Sequence, residues 1–466
     1  MSVTATLAHG LRGCLPADQI SVEPKTLKNN SQDYAWFSNV LEEQLSGHVA
    51  DVVAWPATEH ELAAVLAVAH ETRAPVTVRG GGTGNYGQSV PLHGGLVVNM
   101  ERLTRIVSIE EGRARVQAGV RFVDLDQEAY ASGQEICIYP STYLTATIAG
   151  FVAGGSMGVG SVMHGTLADN NVLAATVLPV TASPAAERVE GMSLTPYVHA
   201  YGTTGVLVDV TVPLTARKRW EQAVISFASL EACHEFCLAL LTDPTIDKRL
   251  ITAVDPGVVR HFSRSRLRFD SERTAALLLY REDQRDAVLA LATPRGGRLD
   301  VTLAPDSRTR ITDFTWNHTT LWAKKADRRH LTYLQCGFDV ERFPRQIAAI
   351  RAAYGEDFAF HGEYALSGGA PFLASLPIVA YRGQEHLDHM IEFLEGLEVS
   401  VANPHRYVLE EGSRVENVAE LVETKRRNDP AGLLNPGKLA AWTEHGTVPR
   451  KQASLSLART RGERRA

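Results

Sequence analysis

Pro75-Val-Thr-Val-Arg-Gly-Gly-Gly-Thr-Gly-Asn-Tyr-Gly87 is the stretch that decides how this chain folds. Val76-Thr-Val78 has the character of a short buried strand. It runs from a helix-ending Pro75 into a segment where four of the five residues from Gly80 to Gly84 are glycine. Without Cβ atoms, successive backbone N–H groups can turn toward one point and make a nest for phosphate oxygens. A flexible surface turn is the alternative, weakened by the buried strand that leads in and by Arg79 beside the loop. Gly82-Thr-Gly84-Asn-Tyr-Gly87 also has dinucleotide GxGxxG spacing, with Glu101 at roughly the distance of a ribose-binding acid. That motif needs a helix starting in the glycines, because the helix N-terminus carries the phosphate. Only Gln88 to Gly95 separates the loop from the strand Leu96-Val-Val98, and it contains Pro91, Gly94 and Gly95, so no crossover helix fits. Gly432-Leu-Leu-Asn-Pro-Gly437-Lys438-Leu439 has Walker A spacing but fails on chemistry. Leu439 stands where a hydroxyl is needed, no strand precedes it, and Pro436 removes an N–H from the cradle.

Outward from the loop, Thr58-Glu-His-Glu61 is a capping box that opens a helix with Leu62, Val65, Leu66 and Ala69 on one face. Ala114-Arg-Val-Gln-Ala118, Val172 to Leu178 and Val206 to Val212 read as strands, and Phe122 to Ala131 as a helix stopped by Gly133. From about Thr215 to Val401, helices at about 229–242, 340–353 and 384–395 alternate with strands near 249–254, 275–280, 331–336 and 376–381. That alternation predicts an α+β module with a mainly antiparallel sheet. A further helical pattern ends near Asn428, and the basic residues after Gly446 have the texture of a disordered tail. The opening 45 residues have no decisive pattern.

The 466 residues exceed one ordinary core, and 44% hydrophobic with 21% charged residues is an ordinary globular composition. A formal charge of −6 leaves no footprint for nucleic acid, and no apolar run has the length of a membrane span. The N-terminus lacks the pattern of a signal peptide, and the five cysteines are scattered, which points to a reducing cytoplasm. Cys233 and Cys237, four apart in a helical pattern, suit buried thiols better than a metal pair.

The order of segments resembles the FAD-binding domain of the vanillyl-alcohol oxidase and p-cresol methylhydroxylase superfamily, and within it the glycolate oxidase and D-lactate dehydrogenase branch. The matching pieces are Val53-Ala-Trp-Pro56, the loop from Pro75 to Gly84, Gly94 to Met100, Val116 to Val120, Pro140-Ser141 and Ala146 to Gly150. Glycines 154, 155, 158 and 160, then Tyr201-Gly-Thr-Thr-Gly205, and finally Asp429-Pro with Leu434-Asn-Pro-Gly-Lys438 complete the set. The resemblance implies an α+β fold: a two-part FAD-binding domain of the PCMH type over 1–214 and an α+β cap over 215–401. A segment 402–445 returns to the FAD domain, ahead of the basic tail 446–466. It implies that Arg79, Gly80, Gly81, Gly82, Thr83, Gly84 and Asn85 hold the pyrophosphate. Thr147, Gly150, Gly154, Gly155, Gly158 and His164 would lie along the flat ring, and Gly205 and Val206 near the adenine end or the ring. Asn435 and Lys438 would return to the ribityl chain or the flavin N1–C2=O edge; a solvated surface lysine is the alternative for Lys438. Family members that tether FAD use a histidine where this chain has Thr83, or a cysteine where Thr145 falls, so non-covalent FAD is expected.

For the substrate side, the metal-binding His-rich segment of the hydroxy-acid branch is not found; His361-Gly-Glu363 is its nearest fragment, and no metal is expected. His405, in Asn403-Pro-His-Arg-Tyr407, and His318, in Phe314-Thr-Trp-Asn-His-Thr-Thr320, are candidate bases, since an imidazole can take a hydroxyl proton near neutrality. Each could instead satisfy a buried polar group. Tyr407 is a further catalytic candidate, while Arg406, Trp316, Glu363 and Tyr143 are candidates for substrate contact. The expected activity is FAD-dependent oxidation of a C–OH or C–N bond of a small organic molecule, with oxygen or another carrier as acceptor. A flavin electron-transfer subunit working with a partner protein is the alternative. A homo-oligomer is compatible with the sequence.

Overall fold

The computed structural model describes residues 3–443 apart from 263–266, 268, 306, 413, 414 and 416; the basic tail expected after residue 446 lies outside the described residues. Helix Glu59–Thr72 forms where the capping pattern and the apolar face place it, with Thr58 Oγ1 accepting the Glu61 N–H at 3.1 Å. The box does not close on Thr58 itself: Glu61 Oε2 accepts the N–H of Ala57 at 2.7 Å. The helix buries Leu62, Val65, Leu66 and Ala69 against a four-stranded sheet and ends at Arg73 in the left-handed region (φ 55°). The sheet order is Ile20–Ser21, Val52–Ala54, Leu96–Asn99, Val76–Arg79, and the last three strands are parallel. Strands Val76–Arg79 and Leu96–Asn99 are joined by residues 80–95 with no helix between them, as the proline and glycines of that stretch require.

A second, antiparallel sheet shares this core. Its path runs Ile106–Glu110, Arg113–Gln117, Val206–Ala216, Ala174–Leu178, Glu187–Glu190, and the long strand Val206–Ala216 also pairs with Gln134–Ile136. Val116, Val177 and Val210 pack into one apolar cluster with Val65 and Leu96 of the first sheet. Helix Ile148–Gly154 starts at Thr147, whose Oγ1 accepts the Gly150 N–H at 3.2 Å.

Residues beyond 216 build an eight-stranded sheet whose strand pairs are all antiparallel, in accord with the expected α+β cap. Helices Leu230–Thr242, Phe343–Tyr354 and Gln384–Gly396 bury their apolar faces in one cluster on this sheet. Cys233 and Cys237 are buried free thiols there, Sγ to Sγ 4.0 Å. One expected strand is in fact two. The stretch 331–336 divides into Leu331–Tyr333, in a separate three-stranded sheet, and Cys336–Phe338, in the eight-stranded one. The break falls opposite Pro377, which has no ladder N–H to give and instead accepts the Leu334 N–H at 3.2 Å.

Both ends of the chain return to the glycine loop. Helix Val3–Arg12 packs Leu7 and Leu11 into the first core, and the Tyr34 N–H donates to Gly84 O at 2.7 Å. At the other end, Val76 N–H donates to Leu433 O at 2.7 Å and Asn435 N–H to Val76 O at 2.6 Å. The segment with Walker A spacing thus spends its backbone on the sheet beside strand Val76–Arg79. It is held there by a buried ion pair. Lys425 Nζ donates to Asp429 Oδ2 at 2.7 Å, Leu434 O at 2.7 Å and Thr203 O at 3.0 Å. Asp429 also accepts the N–H groups of Leu433 and Leu434 at 2.9 and 2.7 Å. Asp429→Ala leaves a buried ammonium and two N–H groups uncompensated, so it is expected to cost about 3–5 kcal/mol in urea unfolding. A change below about 1 kcal/mol would show that the clamp carries no stability.

Candidate functional site

The glycine run works by having no side chains. A Cβ on Gly80 would overlap Thr147 Oγ1, one on Gly81 would overlap the Thr145 carbonyl oxygen, and one on Gly82 (φ 61°) the Arg79 guanidinium. The loop therefore lies flat against residues 145–147. Among the described residues, the N–H groups of 81–85 donate to no other protein group, so they remain available to a ligand. A row of unused donors on a surface stripped of Cβ atoms fits a pyrophosphate. The loop is braced from outside. Arg79 Nη1 donates to Gln32 O at 2.5 Å and Ser89 Oγ at 3.3 Å. Lys438, fully buried, donates to Gly87 O and to Val90 O.

The loop is one wall of a cavity of about 410 Å³, within the ordinary size range of a small-molecule site. Helix Ile148–Gly154 and the 199–207 segment continue that wall. The facing wall comes from the eight-stranded sheet and the helix beginning at Asn317, through Trp316, Asn317, Gln335, Cys336, Phe372 and Ser375. A polar and aromatic group bridges the two. The Tyr86 O–H donates to Gln335 Oε1 at 2.5 Å, and its ring stacks on Tyr201 at 6.0 Å. His199 lies edge-on to Tyr201 at 5.3 Å, with Nδ1 2.9 Å from Gly155 O. A carbonyl only accepts, so Nδ1 carries the proton and Nε2 keeps its lone pair. Burial lowers the His199 pKa from its usual value, which favours this neutral ring. Both His199 (φ 52°) and Tyr201 (φ 53°) sit in the left-handed region, a strained conformation for residues with side chains.

Residues 50–180 match the family model of an FAD binding domain. The chain is 30% identical over 179 residues to an uncharacterized FAD-linked oxidoreductase of Mycobacterium tuberculosis, covering 37% of this chain and 39% of that one. Residues 50–180 thus carry an FAD binding domain. It is also 23% identical over 426 residues to the mitochondrial D-lactate dehydrogenase [cytochrome] of Arabidopsis thaliana, covering 84% of this chain and 74% of that one. Alkyldihydroxyacetonephosphate synthase shares the fold, with a TM-score of 0.72 at 14% identity over 93% of this chain and 84% of that one. The Mycobacterium match spans about two-fifths of that relative's length.

FAD is the cofactor that this domain supports, and the structure sorts the residues expected to touch it. Gly80, Gly81, Gly82, Thr83, Gly84, Asn85, Thr147, Gly150, Gly154, Gly155 and Gly205 line the cavity. Arg79, Gly158, His164, Val206, Asn435 and Lys438 stand outside that lining. Arg79 and Lys438 brace the loop from behind, and burial brings the Lys438 pKa down to about 7. Lys438 is neither a surface lysine nor a cavity cation. Asn435 Nδ2 donates to Gln88 O at 2.9 Å and Tyr201 O at 2.6 Å, one layer behind the wall. A Cβ on Gly158 would strike the Tyr139 carbonyl, so its smallness serves chain packing. Val206 is buried in its strand, and His164 is held through its carbonyl by Asn171 at 2.7 Å.

The three expected catalytic side chains also stand outside the cavity lining. His405 is 1% exposed, with Nε2 donating to Tyr333 O at 2.9 Å and Nδ1 accepting from Ser38 Oγ at 2.7 Å. Both nitrogens are occupied and burial pushes its pKa down to about 3, so it has no free lone pair for a substrate proton. His318 faces Asp313, 4.0 Å from Nδ1 to Oδ1, and Tyr407 packs with Leu41, Leu45 and Val90. Tyr86, His199 and Gln335 escaped the sequence reading. His199 lies two residues before the Tyr201–Gly205 motif, the nearest signal it had.

Gly81→Ala is expected to lose most bound FAD, because its Cβ meets backbone, whereas Gly47→Ala, outside the cavity lining, should keep it, since its Cβ meets nothing within 4 Å. The flavin-to-protein absorbance ratio after gel filtration measures this, and equal ratios would refute the cradle. His405 gives a pH test. Its folded pKa, about 3, lies below the usual 6.5, so the unfolded chain binds more protons between these values. Stability should therefore fall as pH drops from 6.5 toward 3, by up to about 1.4 kcal/mol per pH unit from this group. Urea unfolding of His405→Gln should show a shallower acid slope; an unchanged slope would assign the acid loss elsewhere.

Proposed function

We propose that the chain is a self-contained FAD-dependent oxidoreductase that takes a hydride from a C–OH or C–N bond of a small organic molecule. The observation that carries this reading is the continuity of the cavity. The glycine cradle and a wall of side chains from the eight-stranded sheet face the same space within one chain. An electron-transfer subunit that leaves substrate chemistry to a partner has no need of such a wall. In this division of labour, residues 1–214 with 402–445 hold the cofactor and 215–401 select the substrate.

Bound FAD supplies the two-electron acceptor. The protein's part is to position the substrate carbon, take the hydroxyl proton and keep water out. His199 Nε2 is the proton acceptor in this scheme, because Nδ1 is fixed on Gly155 O and the ring is neutral. As the hydroxyl proton moves to Nε2, the carbon–hydrogen bond breaks with its electron pair and the product is a carbonyl. Tyr86, tied to Gln335, orients the oxygen beside it. With Thr83 and Thr145 at the positions where relatives attach FAD, the cofactor is held non-covalently; acid precipitation should leave yellow flavin in the supernatant rather than in the pellet. Oxygen or another carrier reoxidises it.

Anaerobic mixing of the purified chain with alcohols, hydroxy acids and amines is expected to bleach the flavin with at least one class. Bleaching that required an added partner protein would instead support the electron-transfer reading. His199→Ala should slow the bleaching by about 10²–10⁴-fold while FAD content is retained. An unchanged rate would remove His199 from the mechanism.

A further inference from the structure

We infer that the substrate is an uncharged hydroxyl compound with an apolar body, recognised by the neutral amides of Asn317 and Gln335 beside the Trp316 ring, rather than a hydroxy carboxylate. The inference rests on the oxidoreductase reading above and names the substrate class of the same site.

The facing wall carries a tryptophan held in a fixed pose. Trp316 is 9% exposed and lines the cavity, and its Nε1 is buried without a hydrogen-bond partner. The residue is held at φ 50°, an unfavourable conformation for tryptophan, and the reason is visible behind it. Glu363 Oε1 accepts the Trp316 backbone N–H at 2.5 Å and stands 2.7 Å from His361 Nε2, while Oε2 accepts from Thr252 Oγ1 at 2.5 Å. His361 and Glu363 are 0% and 1% exposed. This buried pair fixes a strained tryptophan on the wall, and strain maintained in that way belongs to ligand-contacting positions. Asn317 follows it, and Gln335 stands nearby. Each amide is both donor and acceptor, which matches a hydroxyl, itself donor and acceptor. Phe372 and Leu376 complete the wall with apolar surface.

Charge is treated in the opposite way. Among the described residues, no Asp, Glu, Lys or Arg side chain lines the cavity. The cations around it are already bound. Lys324 Nζ donates to Asn39 Oδ1 and to the carbonyls of Arg328 and Leu331, Lys438 to Gly87 and Val90, and Arg79 to Gln32 and Ser89. No group of three potential metal ligands exists among the described residues. A carboxylate brought against this wall would lose its water without gaining a counter-charge, a poor exchange for a small ligand. An uncharged hydroxyl compound loses little and pairs with the amides.

The test compares matched pairs that share the secondary alcohol and differ in one end, a hydroxymethyl or a carboxylate: 1-phenylethane-1,2-diol against mandelate, and propane-1,2-diol against lactate. Each is mixed anaerobically with the FAD-loaded full chain and the bleaching rate is followed against concentration. The diols are expected to reduce the flavin at least about 100-fold more efficiently than the acids, the factor expected from burying an unpaired charge. Asn317→Leu keeps the bulk and removes the amide. It should raise the half-saturating diol concentration about tenfold, the worth of one hydrogen bond, at unchanged FAD content. Asn317→Lys is the converse variant, and should give the acids at least about tenfold tighter half-saturation by supplying a counter-charge. Acids that match or exceed the diols would overturn the inference and leave the oxidoreductase reading standing. Failure of every alcohol, acid and amine to bleach the flavin would sink that reading, and the inference with it.

Discussion

A phosphate cradle made only of backbone cannot support itself, and much of this molecule answers to that constraint. Residues 80–84 have almost no side chains with which to pack, and no helix follows to stiffen them. Their shape comes from what they rest on and what pulls from behind. Beneath lie the Thr145 carbonyl and Thr147 Oγ1, in contacts that only glycine permits. Behind stand the Tyr34 N–H on Gly84 O, the Arg79 guanidinium on Gln32 O, and Lys438 on the Gly87 and Val90 carbonyls. Burying an ammonium is costly, and that burial lowers the Lys438 pKa. Two carbonyls without a ladder partner are what it satisfies in return.

The same constraint explains why both ends of the chain are drawn to one place. The segment around Tyr34 also reaches the cap, where Phe37 O accepts from Thr332 Oγ1 at 3.3 Å and Asn39 Oδ1 from Lys324 Nζ at 2.7 Å. The segment after Asn428 is locked to strand Val76–Arg79 through Leu433 and Asn435, and to the 199–204 region through Lys425 and Asn428. Cradle, aromatic cluster and cap wall are thereby tied to common anchors. The two walls of the cavity are thereby held at a fixed spacing.

The cavity separates two kinds of recognition. Negative charge suits the cradle, where unused backbone donors face the cavity and the Arg79 guanidinium lies against Gly82. The opposite wall offers amides, hydroxyls and an indole ring, and the charged groups near it are engaged with the protein itself. His361 and Glu363, the fragment most suggestive of a metal site in the sequence, sit behind that wall and set the backbone of Trp316.

What the sequence determined by itself was everything that depends on near neighbours. The cap of helix Glu59–Thr72, the strands Val76–Arg79 and Leu96–Asn99, and the absence of a helix after the glycines follow from side-chain periodicity and the φ limits of glycine and proline, properties of a few adjacent residues. The ordered glycine segments were enough for the cofactor class. The division of 331–336 between two sheets was not legible, because it is imposed by Pro377, which lies far along the chain. Nor could the sequence choose among histidines. His405 and His199 are both imidazoles in turns of the chain, yet one is consumed by Ser38, 367 residues away, and by Tyr333, while the other lines the cavity with only Nδ1 engaged, by Gly155 O. Which nitrogen is free is settled by partners that only tertiary packing brings into contact, and that is why the cofactor was readable in the sequence and the surroundings of each imidazole were not.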